Sequence, residues 1–157
     1  MIDPIQLLIH IIRPVLKHLE LWSVGAERLV LGTACQESEC GRWLVQINGP
    51  ALGAWQMEPA THDDIVNNYL AFRPELKSRV GYWAAQGFTA PQLAWNLGYG
   101  EAMCRLRYRR IPRAIPDTLQ GQAEYYKINY NTPLGAGTAQ QYVSNWQRFV
   151  GNQKLPD

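Results

Sequence analysis

The chain reads as an all-α protein with at most a small β-hairpin. Apolar residues recur at helical spacing, as in Ile5, Leu8, Ile9, Ile12, Leu16 and Leu19. Segments of this kind open on capping residues and close on glycine, proline or asparagine. Only Trp43-Leu44-Val45-Gln46-Ile47 offers a short strand, or else an irregular cleft wall, within a glycine- and proline-punctuated stretch.

The elements follow in order. Asp3 as N-cap and Pro4 at the first helical position start a helix to about Leu19, with a kink or break at Pro14. Ser23 caps a second helix to about Ser38, with Ala26, Leu29, Val30 and Thr33 facing inward. Thr61 is the expected start of a third, with Asp63 and Asp64 at its positive end, running to about Phe72. Pro74 starts a helix to about Gln86 that stops at Gly87. Thr89 caps a segment whose far end is loosened by Gly98 and Gly100, and a further helix runs from about Glu101 to Arg110. Asp117 caps a helix through Tyr125, Tyr126 and Ile128, broken at Asn131-Thr132-Pro133. Thr138 caps the last, with Tyr142, Trp146, Phe149 and Val150 inward and Gly151 as its stop. No repeat or linker divides the chain, so residues 1–157 are expected to form one domain.

Composition removes several classes of function. Apolar residues at 46% and charged residues at 18% describe a globular chain, neither disordered nor membrane-embedded. A net charge of +2 is too small to argue for nucleic acid. The one basic cluster, Arg105-Leu106-Arg107-Tyr108-Arg109-Arg110, reads as a solvated helix end or as a surface that attracts a polyanionic polymer. His10, His18 and His62 lack ligand spacing, so no metal is expected. Three cysteines cannot all pair, which favours synthesis in a reducing compartment. Cys35 and Cys40 could join only if the chain bends sharply after Glu37, and that question stays open. The apolar amino terminus lacks a basic leader and a cleavage site, and Arg13-Pro14 interrupts it before a membrane span's length. No stable membrane insertion and no export signal are therefore expected.

Three segments carry candidate chemistry. Ala34-Cys35-Gln36-Glu37-Ser38 ends an apolar helix on a carboxylate, where partial desolvation raises a pKa and suits the group to proton donation near neutrality. Gly53-Ala54-Trp55-Gln56-Met57-Glu58-Pro59-Ala60-Thr61 is a glycine-rich turn, and Ala94-Trp95-Asn96-Leu97-Gly98 is a third, helical piece. In this order, with a nineteen-residue step from Glu37 to Gln56, they resemble the three motifs of the soluble lytic transglycosylases. The resemblance covers roughly residues 26–100.

That resemblance implies a lysozyme-like fold, shared with goose-type lysozyme, and no cofactor. It implies cleavage of the β-1,4 bond between N-acetylmuramic acid and N-acetylglucosamine in peptidoglycan. Glu37 would protonate the leaving oxygen and then, ionised, take the proton from the muramic acid O6 hydroxyl as a 1,6-anhydro ring closes. Ser38, Gly53, Ala54, Gln56, Trp95, Asn96, Tyr99 and Tyr142 would contact the glycan. Trp95 stands where the family has tyrosine, so Tyr99 or Tyr142 would have to supply the lost hydroxyl. Glu58 stands where the family has an uncharged residue. A second carboxylate there could activate water and make the enzyme a muramidase. Glu39, on another helix face, is ranked below Glu37. A glycan-binding or structural virion module is the alternative from another class. The expected partner is a peptidoglycan strand and the expected state a monomer. The expected route is synthesis in the cytoplasm, release by a separate protein such as a holin, and action on the wall as a phage lysis enzyme.

Overall fold

The computed structural model describes residues 1–133, 135–151, 153, 155 and 156. It is all-α: helices α1 (Pro4–Leu7), α2 (Arg13–His18), α3 (Val24–Ser38), α4 (Pro59–Asn68), α5 (Pro74–Trp83), α6 (Leu97–Arg109), α7 (Leu119–Tyr126) and α8 (Ala139–Phe149), with short 3-10 and π-helical turns between them. Pairing across strands among the described residues is limited to isolated bridges, Val45 with Leu52 and Leu52 with Met57 in the expected hairpin region.

α3 is the centre. It packs against α1, α2, α6, α7 and α8, and its residues Leu29 to Cys35 are all buried. A helix enclosed on all sides needs apolar residues all round rather than a single stripe, and this one has them. Ser23 caps it, accepting from the Ala26 amide at 3.0 Å. Glu27, near its start, is buried but paired: it accepts from Arg13 and from the Trp22 indole at 2.9 and 2.8 Å. The Asp3 cap is present too, accepting from the amides of Ile5 and Gln6. Pro14 does not break the helix it enters. A π-helical turn, Leu8–Ile12, precedes α2 and accommodates the residue that cannot donate an amide proton.

Several boundaries differ from the sequence expectation. α4 begins at Pro59 rather than Thr61, with Glu58 in extended backbone before it, and Asp64 is taken up by Asn68 and Arg110. The helix from Pro74 ends at Trp83, three residues early. Thr118, not Asp117, caps α7. The largest difference is α6, which starts at Leu97 and runs straight through Gly98 and Gly100. Those glycines do not loosen the helix. A Cβ at Gly98 would strike the Trp83 ring, and one at Gly100 would sit 3.3 Å from the Trp55 ring. They let two indoles lie against the backbone of α6.

Five of the eight tyrosines form one interior cluster: Tyr108, Tyr125, Tyr126, Tyr130 and Tyr142, linked by ring separations of 5.1 to 6.0 Å. Each buried hydroxyl needs a partner, and three find theirs on α3: Tyr142 at Leu29, Tyr108 at Thr33 and Tyr126 at Glu37.

Candidate active site

The last turn of α3 leads into a tight reversal. Glu39, Cys40 and Gly41 all have positive φ, so the chain doubles back at once, and the Cys40 amide closes onto the Ala34 carbonyl at 2.9 Å. Ser38 secures the reversal. Its hydroxyl donates to the Ala54 carbonyl at 2.6 Å and accepts from the Gly41 amide at 2.7 Å. Glu37 is thus held between a buried helix and the Gly53 turn, at the edge of a cavity of about 750 Å³. The size is that of a small-ligand cleft.

Burial pushes the Glu37 carboxyl up to about 7, against two influences that lower it, a hydrogen bond from Tyr126 and the charge of Arg107. The Tyr126 hydroxyl donates to Glu37 Oε1 at 2.6 Å. Burial and the neighbouring Glu37 drive the tyrosine's own pKa far upward, so its hydroxyl keeps its proton and remains a donor. Arg107 reaches the same cavity from α6, its guanidinium 4.3 Å from the Tyr130 ring centroid and donating to the Tyr130 carbonyl. The π-helical turn Lys127–Asn131 carries Tyr130, whose hydroxyl donates to the Trp55 carbonyl at 2.7 Å. One wall is therefore tied to the other through Tyr126, just before the turn, and Tyr130, within it.

Gln56 and Glu58 also line the cavity, with Trp43, Gln46, Ile47 and Thr61 along one wall and residues 130–132 and 135–137 along the other. Gln56 sits at φ 43° and spends its amide on the turn itself, donating to the carbonyls of Gly53 at 2.8 Å and Trp43 at 3.1 Å. Trp43 and Ile47 are exposed, so the irregular wall presents apolar surface to whatever enters.

The remaining residues singled out in the sequence lie away from the cavity. Ser38 is buried and committed to the reversal described above. Gly53 is needed for close approach, since at φ 80° a Cβ would land on the Leu93 carbonyl. Ala54 is fully buried beside it. Trp95 is exposed but outside the cavity lining. Asn96 caps α6, accepting from the Tyr99 amide at 3.1 Å and donating to the Trp83 carbonyl at 2.7 Å. Tyr99 is buried and bonded to His62 at 2.7 Å. Tyr142 is buried, its hydroxyl donating to the Leu29 carbonyl at 3.2 Å. The third segment thus caps α6 and packs against Trp83 instead of facing the cleft. The chain matches no protein-family model, no curated protein and no solved structure.

Tyr126, not Tyr99 or Tyr142, brings a hydroxyl to the carboxylate. The sequence carries a local signal for it: Tyr126 and Tyr130 stand four apart, on one helical face, before Asn131-Thr132-Pro133. The basic cluster divides around its helix. Arg110 pairs with Asp64 at 2.6 Å and Arg105 donates to the Leu21 carbonyl at 3.3 Å, while Arg107 turns into the cleft. No group of three metal-ligating side chains occurs among the described residues. No helix among them is long and apolar enough to cross a membrane.

Proposed function

We propose that the chain is a peptidoglycan-cleaving enzyme of the soluble lytic transglycosylase kind, with Glu37 as its acid and then its base. The observation that carries this reading is a carboxyl lifted to about 7 on the edge of an open cleft. A group that must first give a proton and then take one works best when its pKa lies near the working pH. Glu37 protonates the glycosidic oxygen while positive charge develops at C1 of the muramic acid. The carboxylate left behind then accepts the O6 proton as O6 bonds to C1, releasing a 1,6-anhydro product without water. Tyr126 steadies the carboxylate in its ionised stage and fixes its rotamer. Trp43 and Ile47 offer apolar surface to sugar faces, and Gln46 and Thr61 line the same wall with polar groups. The partner is a glycan strand of the wall, to which a cytoplasmically made enzyme would need release by a second protein.

One observation favours a second reading. Glu58 lies in the same cavity as Glu37, exposed at the start of α4. A carboxylate so placed can orient a water against C1, giving a muramidase that hydrolyses the same bond.

Mass analysis of soluble products from purified peptidoglycan separates the readings. Muropeptides lighter by one water, and lost with Glu37→Gln, are the expected result. Products with a free reducing end, lost with Glu58→Gln, would assign hydrolysis. Absence of any product from folded wild-type protein would turn the proposal toward a glycan-binding module.

A further inference from the structure

The reversal that holds Glu37 also brings two sulfurs together. Cys35 sits in the last turns of α3 and Cys40 just beyond its end, and both side chains are fully buried. The closure of the Cys40 amide onto Ala34 folds the second cysteine back over the first, leaving their Sγ atoms 3.0 Å apart as free thiols. They stand five positions apart in the chain, a spacing at which a regular helix would point them in different directions. Only the run of positive φ at Glu39, Cys40 and Gly41 makes the approach possible. Two of those three residues are not glycine, so the left-handed run costs something and is held by the Ser38 hydroxyl and by the Ile2 amide, which donates to the Cys40 carbonyl at 2.8 Å. The third cysteine, Cys104, is on α6, buried near Tyr130 and Arg107.

We propose that Cys35 and Cys40 are a disulfide site, closed when the chain meets a low-molecular-weight or protein disulfide oxidant, and that the bond locks the turn positioning Glu37. The chemistry is thiol–disulfide exchange. One cysteine thiolate attacks the oxidant's S–S bond, giving a mixed disulfide and releasing one thiol. The second cysteine displaces the remaining half, forming Sγ–Sγ and releasing the second thiol. The two electrons and two protons lost by the cysteines leave with the oxidant's reduced thiols. The sulfurs already face each other, so only a small shift separates the thiol pair from the bond. Both are closed to solvent, so the folded thiols react slowly, and oxidation accompanies folding or a transient opening of the turn at residues 38–42. Cys104 stays a thiol, which accounts for the odd count. This site stands whatever the enzyme's reaction proves to be.

The test is to refold the full chain in an oxidised/reduced glutathione buffer and, in parallel, in dithiothreitol. Oxidised protein should lose two hydrogens by intact mass, with the loss mapping inside the 29–42 tryptic peptide and Cys104 alone alkylated after denaturation. Its thermal midpoint should exceed that of the reduced protein by about 5 °C and return on reduction, as expected for closing a short loop in a chain of this size. Cys104→Ser should oxidise as wild type does, and Cys40→Ser should not. Three alkylatable thiols after oxidative refolding would overturn the proposal. So would a bond to Cys104, or a midpoint that falls on oxidation. The mapping on wild-type protein decides the matter even if a variant fails to fold.

Discussion

At the scale of single residues, the ionisation of Glu37 is set by burial working against Tyr126 and Arg107. The acid must be protonated to act, so the rate should fall as pH rises through about 7. Tyr126 stabilises the ionised form by donating to it. Tyr126→Phe removes that donor, so the alkaline limb of kcat/KM should move to higher pH. The lost orientation should lower the acid plateau roughly tenfold. A pH–rate profile of the pair measures both, and an unmoved limb would mean that the tyrosine does not control this proton. Folding stability follows the same sign. The folded chain holds a proton that an unfolded glutamate has released, so the contribution is full below the ordinary glutamate value of 4.5 and is lost as pH climbs toward about 7.

At the scale of elements, the fold behind the site depends on how closely α8 approaches α3. Where α8 crosses it, Gly32 lies directly beneath the Tyr142 hydroxyl, and a Cβ there would overlap that oxygen. Alanine would gain about 1 kcal/mol in helix propensity. It would also force apart a crossing that anchors the Leu29 carbonyl to Tyr142. Overpacking should win, so Gly32→Ala is expected to destabilise the fold by about 2 kcal/mol, read from urea unfolding as a lower midpoint at unchanged slope. The π-helical turn Lys127–Asn131 has the complementary role. Lys127 donates to the carbonyls of Thr132 and Gly135 and to Asn131, holding the cleft wall to the end of α7.

At the scale of the whole molecule, a second carboxylate bears on stability without facing the cleft. Glu101 is fully buried on α6, and neither of its oxygens has a hydrogen-bond partner. Burial pushes its carboxyl well up, with the charge of Arg105 opposing. The folded chain therefore binds a proton here that the unfolded chain releases above the ordinary carboxyl range, and stability falls as pH rises. Glu101→Gln keeps the shape and cannot ionise. Thermal unfolding at pH 5 and pH 8 should show a fall of several degrees in the wild type and a clearly smaller one in the variant, the two starting close together at pH 5. Parallel falls would assign the pH dependence to other groups.

Much of this protein was legible in its residues because the signals are local. Helical spacing, the Asp3, Ser23 and Thr138 caps and the position of Glu37 at a helix end all depend on neighbours within a turn or two. So does the expectation of an all-α fold, which the structure bears out. Misread positions are those whose meaning comes from distant contact. Gly98 and Gly100 look like helix breakers until Trp83 and Trp55 are laid against them. Asn96 looks substrate-facing until its amide is found spent on Trp83 and Tyr99. Tyr126 is eighty-nine residues from Glu37 in the chain, and no periodicity reports on that pair. The sequence alone determined which segments are helices and which carboxylate ends a buried one. The tertiary structure decided which tyrosine and which arginine meet that carboxylate, because proximity across a fold is set by packing, not by spacing along a chain.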